Sequence, residues 1–327
     1  MFLKNGIVIA GNVFVDIKGF PQDNYIPAGR NAGDVEIVHG GVGRNVAEDI
    51  ANLELRPTFV SMVDDNAQGE DVIKKLRNHK VNTDYIVSAP DGMGIWLAIF
   101  DETGDVVGSI SKRPVMDPMA ELLDQKGDEI FSACDSIVVE IDMDKDVVKK
   151  VLRYAEKYHR RVYAVVANMS IASERRDFLQ QIDCFVCNLQ EAEMLFVDSF
   201  TGLEPEEIAE AVSVCMMNAR IPSMIVTLGS RGAVYADLNG LKGYCPASKV
   251  SVKDTTGAGD AFCAGAAAAL TYGKTLPEAV EIGTRLAASV ITVSENVCPR
   301  FQPEELGLQP DFCDRNLFFF GDEDLIK

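Results

Sequence analysis

Positive charge is scarce in this sequence: 31 Lys and Arg stand against 50 Asp and Glu in 327 residues, a net charge of −19. That balance argues against a nucleic-acid or membrane-surface partner and favours a small substrate. Only one tryptophan is present, and the three histidines are scattered. The eight cysteines, at 134, 184, 187, 215, 245, 263, 298 and 313, sit mostly in apolar runs. They lack the dense spacing of a disulfide scaffold and read as reduced core thiols. Cys184 and Cys187 form a C-x-x-C, but no second pair follows, which speaks against a metal or redox centre. The stretch MFLKNGIVIAGN has neither the apolar region of a signal peptide nor a spanning segment, so the expectation is a cytoplasmic protein. No internal repeat, low-complexity tract or linker divides the chain. The first strand is not followed by G-x-G-x-x-G, which makes a dinucleotide-dependent dehydrogenase a poor reading.

What is present is a globular composition, 47% hydrophobic and 25% charged. The length exceeds the usual single-domain size, yet α/β folds of this size often form one core with a small appendage, and one main domain over residues 1–327 is expected. Buried-strand-like runs recur at 6–11, 58–63, 136–141, 161–166, 183–188 and 224–229. Helical patterns lie between them, at 145–159 and 205–219 for example. Strands alternating with helices predict a mainly parallel sheet covered on both faces, a three-layer α/β/α fold. Two inserts break the rhythm: a Gly-, Pro- and Asn-rich stretch over about 12–39, and a hairpin within about 90–115. Strands that crossover helices cannot cover need another partner, so they predict a β lid that pairs with the lid of a second subunit. The segment 304–327 is atypical, and its role stays open.

Chemistry concentrates in a few stretches. In DTTGAGDAFCAG (254–265), Gly257, Ala258 and Gly259 lack bulk where a phosphate would approach a helix N-terminus, and Asp260 stands within the first turn. Asp260 suits a base that accepts the proton of an attacking hydroxyl, or else an acidic residue that merely complements the helix dipole. In HGGVGRNVAEDIANLEL (39–55), Gly40 and Gly41 permit close backbone approach and Asn45 can address vicinal hydroxyls; a glycine turn with an asparagine N-cap reads equally well. Asn12 and Asp16 follow the first strand, where open α/β sheets bind ligands, although a solvated loop aspartate is the simpler reading of Asp16. Asn188 and Glu191 have a spacing that holds hydrated Mg²⁺ against phosphates, or simply caps a helix. Thr227, Gly229 and Gly232, in TLGSRGA, can line a nucleotide groove.

The succession N-x-x-x-D, GG-x-x-x-N-x-A, hairpin insert, N-x-x-E, T-x-G-x-x-G and D-T-x-G-A-G-D resembles the PfkB-type carbohydrate kinases, the ribokinase-like fold, over residues 5 to 300. The resemblance implies an ATP- and Mg²⁺-dependent kinase with Gly257, Ala258 and Gly259 as anion hole and Asp260 as catalytic base. It implies that Asn12, Asp16, Gly40, Gly41 and Asn45 contact the phosphoryl acceptor. Asn188 and Glu191 match the Mg²⁺-phosphate motif, and Thr227, Gly229 and Gly232 the nucleotide loop. Asp254 and the Thr256 backbone match a monovalent-cation site, K⁺ in many members. GGVGRN and SENVCPRF (294–301) are similar to the pseudouridine kinases of that family, implying a ribosyl acceptor phosphorylated on its primary hydroxyl. MGIW at 93–96, Lys112-Arg113 and Ala167-Asn168 depart from the subfamily pattern and bear on the acceptor pocket. Lys112 and Arg113 could bind a phosphate already on a sugar, so a sugar or sugar-phosphate kinase is the alternative. A non-catalytic binding protein of the same fold is another, against which the complete anion motif with Asp260 speaks. Trp96 could stack on a base or pack within the lid.

Overall fold

The computed structural model describes residues 6–102, 104–293 and 295–308. In chain order the elements are β1 (Ile7–Ala10), β2 (Phe14–Pro21), β3 (Gly33–Gly40), α1 (Val42–Asn52), β4 (Pro57–Val63), α2 (Ala67–Asn78), β5 (Ile86–Ser88), β6 (Gly94–Phe100) and β7 (Val106–Lys112). Then come α3 (Asp117–Ser132), β8 (Ser136–Glu140), α4 (Lys145–Tyr158), β9 (Arg161–Val165), the single turns α5 (Met169–Ala172) and α6 (Arg176–Leu179), β10 (Cys184–Asn188), α7 (Leu189–Phe196) and α8 (Pro205–Ala219). The remainder is β11 (Ser223–Thr227), β12 (Ala233–Asp237), β13 (Lys242–Cys245), α9 (Ala258–Thr271) and α10 (Leu276–Val290). The six apolar runs are all strands and both helical patterns are helices. Of the segment 304–327, residues beyond 308 lie outside the described residues, and so does Cys313.

The large sheet has the order β13-β12-β11-β10-β9-β8-β1-β4-β5. Its strands from β5 to β11 pair in parallel, while β12 and β13 close the far edge antiparallel. Burial on both faces explains why these runs are continuously apolar rather than alternating. In β1, Val8 and Ala10 enter a core shared with α3, α4, α7 and α8, whereas Ile7 and Ile9 point to the opposite core with α1, α2, α9 and α10. The string of small residues in α9 has a packing cause. A Cβ on Gly265 would stand 3.1 Å from the Gly283 Cα of α10, so the two helices approach backbone to backbone.

The two inserts together build a separate sheet of order β3-β2-β6-β7. Register pairing aligns Ile37, Ile17, Leu97 and Ile110 in one row across it. Ile37 and Ile110 in that row are 59% and 71% exposed, an unusual state for such side chains. The opposite face carries the row Val38, Asp16, Trp96 and Ser111.

Candidate active site

In an open α/β sheet, ligands bind beyond the carboxyl ends of the strands where the winding order reverses. Here the chain leaves β1 for β4 on one side and returns to β8 on the other, so that crevice lies between β1 and β8. Asn12 follows β1 and Glu140 ends β8, and they meet there. The Asn12 backbone N–H donates to Glu140 Oε2 at 2.9 Å, and Asn12 Nδ2 donates to Oε1 at 2.7 Å. The Gly43 N–H adds a third bond to the same carboxylate at 3.2 Å. Burial and the nearby Asp142 push the Glu140 carboxyl up, against these three donors. Asn12 is thus a buried tie in the loop between β1 and β2. Its Oδ1 is the one polar atom of that side chain with no protein partner.

Above the crevice, Asp16 projects from β2 with its carboxylate against Gly40. A Cβ on Gly40 would lie 2.3 Å from Asp16 Oδ2, so glycine is what lets the carboxylate occupy that place. Asp16 is not solvated loop: burial raises its pKa, while Lys18 and Arg44 pull it down. Gly41, at φ +100°, turns the chain into α1 and is itself the N-cap, without a side-chain bond. Asn45 is therefore no cap. It is buried within α1 and donates through Nδ2 to Asp260 Oδ2 at 2.6 Å.

Asp260 sits in the first turn of α9, after Gly257 in the left-handed region at φ +80°. The Ala258 N–H is drawn to the Thr255 carbonyl at 3.3 Å, and the Ala261 N–H to the Gly257 carbonyl at 2.9 Å. The Gly259 and Asp260 amides between them open the helix, where intrahelical acceptors are missing. A Cβ on Gly259 would meet no protein atom within 4 Å, so no protein stands in front of this turn at that position. Burial pushes the Asp260 carboxyl up to about 6. The Asn45 bond and the Arg44 charge oppose that rise, and the Asp16 and Glu191 carboxylates add to it.

The strand ends β10 and β11 place Asn188 beside Thr227 in register. Asn188 Oδ1 accepts the Glu191 N–H at 2.9 Å and Glu191 Oε2 accepts the Asn188 N–H at 2.7 Å, a full capping box. The simple cap is thus real, yet burial still raises the Glu191 pKa, with Asp142 adding to it. Gly229 and Gly232 both have positive φ, +60° and +100°. A Cβ on Gly232 would lie 2.1 Å from the Cys245 carbonyl, whereas Gly229 faces no protein atom within 4 Å. Asp254 Oδ1 accepts both the amide and the hydroxyl of Thr256, at 2.9 and 2.8 Å.

Three contributors were not among the sequence candidates. Glu140 had a signal, an acid ending the otherwise apolar run SIVVEI. Arg44 is 1% exposed; its guanidinium donates to Glu48 Oε2 at 2.5 Å and to the His39 carbonyl. Asn296 lies 3.3 Å from Asn45 Oδ1, and only the similarity of SENVCPRF drew attention to its segment. Lys112 pairs with the exposed carboxylate of Asp91, and Arg113 donates to the Asp142 backbone carbonyl.

A large, mainly parallel sheet between helix layers, with a second small sheet at the rim, is the ribokinase-like three-layer architecture. The pfkB family carbohydrate kinase pattern matches residues 4–298, and the chain belongs to that family. It is an ATP-dependent phosphotransferase of the sugar and nucleoside kinase class. Among similar proteins is the guanosine-inosine kinase of Exiguobacterium acetylicum, 32% identical over 296 residues, which spans 89% of this chain and 96% of the relative. Another is the pseudouridine kinase of Escherichia coli (strain K12), 27% identical over 279 residues, spanning 85% and 87%. The structure of Arabidopsis thaliana ribokinase complexed with ribose and ATP superposes with a TM-score of 0.78 at 21% identity, covering 94% of this chain and 99% of that one.

Proposed function

We propose that the protein phosphorylates the primary hydroxyl of a ribonucleoside with ATP, and that Asp260 accepts the hydroxyl proton. The observation that carries this is the Asp260 carboxylate, raised to about 6 and held by Asn45 at the open N-terminus of α9. Near neutral pH it is ionised yet desolvated, the state a general base needs. The Gly259 and Asp260 amides and the helix dipole would face the transferred phosphoryl group, with Gly257 and Ala258 shaping the turn. Asp16 and Asn45, with the unpartnered Asn12 Oδ1, supply acceptors and a donor for ribose hydroxyls, next to the backbone of Gly40 and Gly41. Thr227, Gly229 and Gly232 would line the adenine nucleotide.

Magnesium suits the Glu191 end of the site. A half-buried carboxylate whose pKa is raised by desolvation and by Asp142 is one that a cation would stabilise. We place the hydrated ion beside Glu191 and Asn188, where it would neutralise the ATP phosphates. A monovalent cation at Asp254 and the Thr256 carbonyl rests on the family resemblance, and turnover in potassium against choline salts tests it. The cytoplasm, with its ATP and reducing conditions, is the location that goes with this chemistry.

The lid bears on the acceptor. Asp16 and Trp96 are register partners on one face, and Trp96 meets Phe100 edge-on at 6.4 Å, with Phe20 stacked on Phe100 at 4.9 Å. An aromatic group beside the ribose-binding carboxylate suits a nucleobase. Pseudouridine, guanosine and inosine are therefore the acceptors to test, against uridine, ribose, fructose and fructose 6-phosphate. Consumption of a nucleoside ahead of the sugars is the expected result; preference for ribose or fructose 6-phosphate would overturn the reading. Because Lys112 is spent on an exposed pair with Asp91, Lys112→Ala should change nucleoside kcat/KM by less than about twofold. A large loss would place Lys112 at the substrate.

The exposed row of Ile37, Leu97 and Ile110 and the open edges of β3 and β7 support pairing of two lids in a homodimer. Light scattering at micromolar concentration should give twice the chain mass, and Ile110→Lys should give the single chain mass. A wild-type monomer would remove the pairing.

A further inference from the structure

The residues after α10 fold back across α1. The Cys298 N–H donates to Asp49 Oδ1 at 2.6 Å, the Cys298 carbonyl accepts from Asn52 Nδ2 at 2.7 Å, and the Phe301 N–H donates to the Asn52 carbonyl at 2.8 Å. These bonds hold Asn296 at a junction of three parts of the site. Its backbone carbonyl backs onto Gly257, close enough that a Cβ there would lie 2.0 Å from it. Its Nδ2 lies 3.3 Å from the His39 carbonyl at the end of β3, and 3.3 Å from Asn45 Oδ1.

Chemistry fixes the orientation of both amides. A backbone carbonyl can only accept, so Asn296 turns its nitrogen toward His39 and thereby offers a donor to Asn45 Oδ1. Asn45 then presents its own nitrogen, the donor that a carboxylate requires, to Asp260. The Asp260 carboxylate favours that orientation from one side and Asn296 reinforces it from the other, since a turned amide would set oxygen against the carboxylate and nitrogen against the Asn296 donor.

We propose that Asn296 is a positioning residue which locks the Asn45 amide donor-first onto Asp260 and ties that pair to the end of the lid strand β3. The inference rests on the reading of Asp260 as the base. The charged groups bearing on Asp260 are Arg44 and Asp49 from α1, Asp16 from β2 and Glu191 from α7, with Cys263 below it on α9. Asn296→Ala alters none of these charges, so a change in the Asp260 titration would report the Asn45 bond. That bond lowers the Asp260 pKa, and weakening it moves the pKa up.

The test is the pH dependence of kcat for the full chain, with ATP and the nucleoside turned over by the wild type, for Asn296→Ala, Asn296→Asp and Asp260→Asn. Asn296→Ala should lower kcat at pH 6 by about two- to sixfold, keep the ATP KM within about twofold, and shift the acid limb upward by roughly half to one pH unit. Asn296→Asp, which sets an acceptor against two acceptors, should shift it further. An unmoved limb in Asn296→Ala, or losses that only follow the folded fraction by thermal denaturation, would overturn the positioning role, whatever shift the added charge of Asn296→Asp produces. If instead Asp260→Asn kept wild-type turnover, the base assignment itself would fail.

Discussion

Replacing Asp260 by asparagine is expected to lower kcat by about two to four orders of magnitude, the usual range for loss of a positioned base, while ATP still binds. Asparagine keeps the shape and can still accept the Asn45 Nδ2 bond, so the comparison isolates proton acceptance. The wild-type profile should carry the same signature. Because the carboxyl is raised to about 6, turnover should fall as pH drops through that value and protonates the base. A variant with near-wild-type kcat would remove Asp260 from proton transfer and leave its desolvation unexplained.

The same shift has a consequence for stability, opposite in sign to that of a salt-bridged aspartate. A carboxyl raised from 3.8 to about 6 binds its proton more tightly in the folded state than in the unfolded chain. Its relative stabilisation is full below 3.8 and is lost as pH rises through about 6, so the ionised form at neutral pH costs on the order of 2–3 kcal/mol. Asp260→Asn removes that cost, and its melting temperature at pH 8 should exceed that of the wild type. Gain of stability with loss of turnover is the pattern of a group retained for chemistry.

Legibility in the sequence followed the range of the interactions. The apolar runs announced the large sheet because burial on both faces requires them, and the inserts announced the second sheet because they break the βα rhythm. Gly257 and Asp260 were legible because a positive-φ turn and a first-turn acid are local features. Asn45 was harder. Its bond to Asp260 spans 215 residues of sequence, and at close range it imitates a cap that Gly41 in fact provides. Asn188 and Glu191 show the reverse, since a local cap and a site role predict the same residues. Glu140 and Asn296 draw their meaning from partners on other elements, which no local spacing displays, whereas Arg44 pairs at i,i+4 with Glu48 in its own helix and only its charge on Asp16 and Asp260 is hidden from the spacing.

Two glycines two residues apart should separate fold from chemistry. Gly257 has φ +80°, where an L-residue costs about 1–2 kcal/mol, and its Cβ would overlap the Asn296 carbonyl at 2.0 Å. Backbone on both sides leaves no flexible end to yield, so Gly257→Ala should lower the melting temperature by several degrees and cut turnover together. Gly259 lies in α9 without positive φ, and its Cβ would touch no protein atom within 4 Å. Alanine there even gains up to about 1 kcal/mol of helix propensity, so the fold should be as stable or more so. Its methyl would nevertheless stand in the space before the helix amides, and losing an anion-hole contact costs about a hundredfold or more in kcat. Thermal melts and initial rates on the two variants side by side check this. Wild-type turnover in Gly259→Ala, with its melting temperature intact, would move the transferred phosphoryl group away from this turn.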